Sequence, residues 1–171
     1  MILSLEQRCI FKNMLLALSL VIGIVIAVWQ FPLNWQISRV EICLLALILP
    51  TCSYVIGIGR IAVLRFIDES VSNPLLASNN LKLNSFKQYL SNTHEQLFLA
   101  IIVYFLLSAS LPLERVYLVI ILSLCFSGGR ILFARGYRCG AAGRSLGFAL
   151  TFYSNVVGFL LGVVVLIKNV L

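Results

Sequence analysis

The sequence predicts an all-α, polytopic membrane helical bundle. Hydrophobic residues make up 61% of the chain and charged residues only 11%, a balance that no ordinary soluble domain shows. The apolar residues gather into five stretches with little or no charge: Asn13–Ser38, Ile42–Gly59, Gln96–Leu113, Val116–Phe133 and Ser145–Ile167. Each is near the ~20 residues that a helix needs to cross a bilayer. The sequence shows no alternation of apolar and polar residues over ~10-residue segments, which excludes an outer-membrane barrel pattern. Little chain remains to fold outside the bilayer.

The first stretch has the position of a signal peptide but not its form. Its apolar core exceeds the usual ~7–15 residues, and no clear small-x-small cleavage site follows that core before Trp29, Phe31 and Trp35. Those aromatics read as an interfacial belt, so the stretch is taken as a true transmembrane helix. The second stretch leads into the one long connection, Arg65–Ser91, where Asn73-Pro74, Asn79-Asn80 and several serines read as turns. A helix resumes near Ser85, since Gln88, Asn92, Glu95 and Gln96 recur at helical spacing. Leu111-Pro112-Leu113 forms a tight link before the fourth stretch, and Gly136, Gly140 and Gly143 let the chain turn before the fifth. On the fifth, Thr151, Asn155, Gly158 and Gly162 share one helical face, and such small residues predict close helix packing.

Lys and Arg fix the expected orientation. With five spans, Arg8, Lys12, Arg60, Arg65, Lys82, Lys87, Arg130, Arg135, Arg138 and Arg144 fall on one side, and only Arg39, Arg115 and Lys168 on the other. The basic side is then cytoplasmic, with the N-terminus inside and the C-terminus outside. The net charge of +7 is thereby a topology signal and needs no nucleic acid to explain it, although a basic face also favours an anionic ligand. The five cysteines include no pair with metal-ligand spacing, and three lie in apolar runs as small packing residues. His94 has no second His with which to build a metal site, and it is assigned no role.

Chemistry concentrates around the fourth span. Val116–Gly129 is too short to cross by itself, so the helix must continue through Arg130, placing a guanidinium at or inside the membrane edge, where charge is costly and commonly functional. Asn92 and Glu95, three apart, share a face at the start of the third span, with Gln88 a turn earlier. Arg130 and Tyr137, seven apart, share a face at the end of the fourth, and Arg144 opens the fifth. Helix ends meeting at one membrane face would gather a carboxylate, amides, a phenol and two guanidiniums. The same residues admit a plainer account, with Glu95 neutralising Arg130 inside the bundle and Arg135, Arg138 and Arg144 touching lipid headgroups.

The segment Asn92-Thr93-His94-Glu95-Gln96-Leu97, then Gly129-Arg130-Ile131-Leu132-Phe133-Ala134-Arg135-Gly136-Tyr137 and Gly143-Arg144-Ser145-Leu146-Gly147-Phe148, resembles the membrane-associated proteins in eicosanoid and glutathione metabolism (MAPEG) family. The shared pattern is N-x-x-E opening one span, then Arg, Tyr seven later and a second Arg seven after that. It spans about Ile42–Ile167, and the ending Gly147-Phe148-Ala149-Leu150-Thr151-Phe152-Tyr153 is similar to the bacterial branch. Two positions depart from it: Phe133 replaces a Tyr that members often carry three after the first Arg, and Gln96 replaces a Tyr that some carry after the Glu.

The resemblance implies a four-helix domain at residues 41–171, preceded by an extra transmembrane helix at 1–40. It further implies a homotrimer in the bacterial inner membrane, with glutathione as co-substrate between neighbouring subunits. In that reading Arg130 clamps a glutathione carboxylate, Glu95 holds the amine, and Gln88, Asn92 and Tyr137 supply neutral hydrogen bonds. Arg144 is the catalytic residue, stabilising the glutathione thiolate for attack on a lipophilic electrophile. The expected function is a membrane glutathione transferase or peroxidase. The alternative is a non-catalytic lipid-binding or scaffold protein of the same fold. A transporter fits less well, because the polar residues gather at one membrane face rather than the midplane.

Overall fold

The computed structural model describes residues 4–72 and 80–171, apart from the side chain of Arg138. Asn73-Pro74 and Asn79, read as turns, lie outside these residues. Five helices run along the described chain: α1 (Leu5–Gln30), α2 (Arg39–Ile67), α3 (Leu81–Ser110), α4 (Leu118–Gly136) and α5 (Gly140–Val170). All five are long and apolar enough to cross a membrane, in agreement with the expected helical bundle.

The boundaries follow from caps rather than from hydropathy. Ser4 and Gln7 form a capping box at the start of α1, so this helix begins eight residues before the apolar run at Asn13. It ends before Pro32, whose ring disfavours helical geometry at Phe31. Ser38 and Glu41 form a second capping box on α2. The α3 helix starts at Leu81, four residues earlier than expected, because the Asn80 side chain accepts from the Leu83 N–H at 2.9 Å. Leu83 in that first turn is buried with Ile61, Leu64 and Val71, an apolar contact that the polar neighbours Lys82, Asn84 and Ser85 conceal in the sequence.

Helix α5 packs along α4, α3 and α1, while α2 packs on α3 and α4. Tyr104, Leu107, Leu118, Leu122 and Phe126 fill the centre. Outward faces such as Leu16, Ile22 and Ile26 of α1, or Leu44, Ile48 and Val55 of α2, remain exposed in the single chain. The small-residue stripe on α5 packs as expected: Gly158 faces Val103 and Leu122, and Gly162 faces Leu106. A larger residue at either position would push α5 away from α3.

Helix α1 is joined to the bundle at both ends. The Asn13 amide donates to Ser145 Oγ at 2.8 Å and to the Ala142 carbonyl at 3.3 Å. At the other end the Tyr117 hydroxyl donates to the Phe31 carbonyl, and the Leu33 N–H donates to the Glu114 carbonyl at 2.8 Å. Arg39 also has a structural task. Its Nη1 donates to the carbonyls of Ser108 (2.6 Å) and Leu111 (2.7 Å), and the Asn169 amide donates to that of Ser110 (2.9 Å). These bonds satisfy carbonyls at the C-terminus of α3 that have no helical partner.

Pro50 lies buried within α2. Having no N–H, it leaves the Ala46 carbonyl one turn earlier without its helical donor. The Ser123 hydroxyl of α4 donates to that carbonyl. Ser123→Ala is expected to lower stability by about 1–2 kcal/mol, the range for a buried acceptor left unpaired or an interhelical bond lost in a membrane. Thermal unfolding in detergent checks this, and the Ser123→Ala penalty should shrink in a Pro50→Ala background, where the backbone N–H is restored.

Candidate functional site

Close contact between α4 and α5 builds one end of the bundle. A side chain at Gly129 would overlap Thr151, one at Gly136 would overlap the Gly143 backbone, and one at Gly147 would overlap the Phe133 nitrogen. The expectation that Gly136, Gly140 and Gly143 all serve the turn is therefore corrected. Gly140 alone needs the conformational freedom, with φ of 70°. Gly136 and Gly143 instead allow two backbones to touch. Because these helices meet without intervening side chains, Arg130 and Tyr137 are brought beside Arg144 and Thr151.

Arg130 is fully buried, with 0% exposure. Its Nε donates to Thr151 Oγ1 at 3.0 Å and its Nη1 to Asn92 Oδ1 at 2.7 Å. The guanidinium lies 4.7 Å from the Phe133 ring centre and 5.8 Å from that of Phe126, where aromatic faces attract a cation. Nη2 is buried without a hydrogen-bond partner. Neutral groups thus orient this cation, and no carboxylate among the described residues pairs with it. Neutralisation by Glu95 is not what the fold provides: Glu95 is exposed on α3. Since a guanidinium only donates, Asn92 must present its oxygen to Arg130, which leaves its NH2 group free to donate elsewhere.

A cavity of about 570 Å³ opens beside this cluster, a size typical of small-molecule sites (~300–1,000 Å³). Gln88 and Asn92 from α3, Phe133 and Tyr137 from the end of α4, and Arg144 and Phe148 from α5 line it, together with Ile10 of α1. The Arg144 guanidinium lies 5.2 Å from the Tyr137 ring centre. Burial pushes the Tyr137 phenol above its ordinary pKa, against the opposing pull of Arg144 and Arg130. The phenol is therefore a protonated donor near neutral pH.

Of the six residues singled out by sequence, Gln88, Asn92, Tyr137 and Arg144 line the cavity. Arg130 is buried and bonded to Asn92, and Glu95 stands outside on the exposed side of α3. Gln96 turns inward instead, where the Asn155 amide donates to its carbonyl (3.1 Å) and side-chain oxygen (3.4 Å). That interhelical bond gives the Tyr-to-Gln departure a structural use. Phe133 stacks on Tyr89 and meets the edge of Tyr137, so it supplies packing and a cation-facing ring where a phenol was missing.

Comparison with known proteins decides the family. The MAPEG family model matches residues 14–164. The chain belongs to the MAPEG family. Searches of the curated proteins and of the solved structures return no significant match. With five spanning-length helices, this MAPEG protein is an integral membrane protein. The family match begins inside α1.

Sequence reasoning missed Thr151 as an Arg130 partner, reading it only as a small packing residue. It also missed Asn13 and Ile10, because α1 was set apart from the site. An amide at the mouth of the long apolar run of α1 was the available signal for Asn13, since intramembrane polar residues nearly always find a partner.

Proposed function

We propose that this MAPEG protein binds glutathione and presents its thiolate to lipophilic electrophiles or hydroperoxides, as a membrane glutathione transferase or peroxidase. The observation that carries this reading is the cavity wall shared by Arg144, Tyr137, Gln88 and Asn92, with the buried cation Arg130 directly bonded to Asn92. Glutathione has two carboxylates, an ammonium and a thiol. The residues suit it: the Asn92 NH2 and the Tyr137 hydroxyl are available donors, and Arg130 keeps its Nη2 amino group unpartnered for an anion. Arg144, at the open wall, is the cation placed to favour sulfur as thiolate. Attack then forms the new bond from sulfur to the electrophilic atom, whose leaving group departs with the bonding electrons. Glu95, exposed in one subunit, is assigned to the glutathione ammonium in a homotrimer whose sites lie between subunits.

The test is glutathione titration into the detergent-solubilised protein, read by native mass spectrometry, with conjugation of a broad electrophile as the activity assay. A trimer carrying the tripeptide is the expected species. Arg130→Ala and Glu95→Ala should weaken binding by about 2–5 kcal/mol, since each leaves a charged end of the ligand unpaired. Unchanged affinity in both variants would remove their assigned roles. Binding without conjugation of any electrophile would favour the non-catalytic lipid-binding reading.

The same proposal orients the site toward the cytoplasm of a bacterial inner membrane. The ten-to-three split of Lys and Arg between the two ends supports this orientation. A reporter fused after Leu171 should behave as periplasmic. A cytoplasmic signal would reverse the orientation.

A further inference from the structure

Helix α1 lies outside the four-helix domain that the family resemblance implies, yet its inner end reaches the candidate cavity. Ala17, Val21 and Val28 are its buried residues, and Ile10 and Asn13 continue the same stripe at helical spacing. Ile10 forms part of the cavity wall beside Ala141, Arg144, Ser145 and Phe148, four residues that share one face of α5. One turn further along α1, the Asn13 amide donates to Ser145 Oγ at 2.8 Å and to the Ala142 carbonyl at 3.3 Å. Ser145 Oγ donates in turn to that carbonyl at 2.7 Å. The three groups form a closed triangle that brackets Arg144. They belong to one subunit, so the triangle needs no neighbour to form.

The turn that carries Arg144 has little to hold it locally. Cys139 gives α5 no side-chain cap, and Gly140 and Gly143 are among its first residues, where glycine disfavours helix. Anchoring α1 does not by itself call for an amide at position 13. At the outer end the Tyr117 hydroxyl donates to the Phe31 carbonyl, and the Leu33 N–H donates to the Glu114 carbonyl at 2.8 Å. The Arg115 guanidinium also lies 4.8 Å from the Trp29 ring centre there. From Asn13 to Phe31 the chain rises about 27 Å, so the two attachments act on opposite ends of the bundle.

We propose that Asn13 is a positioning residue for Arg144, and that α1 is thereby a functional part of the site and not only a membrane anchor. The proposal rests on the glutathione reading above, in which Arg144 stabilises the thiolate. Coulomb attraction weakens with distance, so a turn free to drift holds the guanidinium less well against sulfur. Ile10 places apolar surface beside the same guanidinium, and excluding water strengthens such an attraction.

The test uses the full chain in mild detergent with glutathione and a broad electrophile. It compares Asn13→Leu, close in size but without donors, with Tyr117→Phe, which breaks the outer attachment. Asn13→Leu should lower kcat at pH 7 by about 10- to 100-fold, the scale of a small misplacement of a catalytic group. Glutathione affinity should be retained, while thiolate absorbance at pH 7 falls and the rate–pH profile moves to higher pH. Arg130, Tyr137 and Arg144 are unaltered in both variants, so the shift reports position and not a lost charge. Tyr117→Phe should lower Tm but leave kcat, the thiolate signal and the pH profile as in wild type. Ser145→Ala, which removes the acceptor and leaves α1 unaltered, should move the profile the same way, and it serves if Asn13→Leu fails to fold. A wild-type thiolate signal that persists in Asn13→Leu or, failing that variant, in Ser145→Ala overturns this proposal alone. An equal shift in Tyr117→Phe also overturns it, because α1 would then act only through general packing. No glutathione binding to the wild type overturns the functional reading itself, and this proposal with it.

Discussion

Replacing Arg144 with alanine is expected to lower glutathione conjugation at pH 7 by about 100- to 1,000-fold, the usual cost of removing a preorganised partner of a developing negative charge. Binding should change little, because the interaction strengthens mainly as charge gathers on sulfur. A free thiol has a pKa of ~8.5, and a neighbouring guanidinium lowers it by stabilising the anion. Without Arg144 the pKa rises, so the rate–pH profile should move to higher pH and activity should recover partly in alkaline solution. Thiolate absorbance in the binary complex gives an independent measure. Equal thiolate fractions in wild type and Arg144→Ala at pH 7 would end the catalytic assignment. They would also make a lipid-binding or scaffold protein the better reading, since Arg144 lines the cavity and would then only contact ligand or lipid.

The second large effect concerns assembly of the site rather than its chemistry. Gly147→Val should prevent the native packing of α4 on α5. Even a Cβ there overlaps the Phe133 nitrogen and approaches the Gly129 carbonyl at 2.6 Å, and neither backbone can move aside without shifting a whole helix. Overpacking in a tight interior costs about 1–3 kcal/mol where flexible side chains yield, and more is expected where the obstacle is backbone. Loss of folded protein in size-exclusion chromatography is the expected result. Gly23→Val on α1, where a side chain meets open space, is the matched control and should be tolerated. Native behaviour of Gly147→Val would mean that the crossing is looser than described, and that Arg130 and Arg144 are not held together by it.

Number and approximate position of the helices were legible in the sequence because the bilayer imposes a coarse length on apolar runs. Helix ends were less legible, since caps depend on single side chains. Ser4 carries α1 well before its apolar run, and Asn80 starts α3 within a polar segment. The basic residues and the N-x-x-E, Arg, Tyr, Arg spacing located the candidate site, because buried cations in a membrane chain stand out against an apolar background.

By itself, then, the sequence determined a polytopic helical membrane protein of this family, with its polar residues collected at one end. Tertiary structure alone decided which of those residues touch. Helical spacing places Asn92 and Glu95 on one face, yet only Asn92 reaches Arg130, while Glu95 is left outside. The physical reason lies in the packing. The glycine crossing of α4 and α5 sets the position of Arg130, Thr151 completes its bonding from α5, and Asn13 ties α1 to α5 beside Arg144. Distances between helices far apart in the chain are not encoded in any local period. They follow from which small residues allow two backbones to meet.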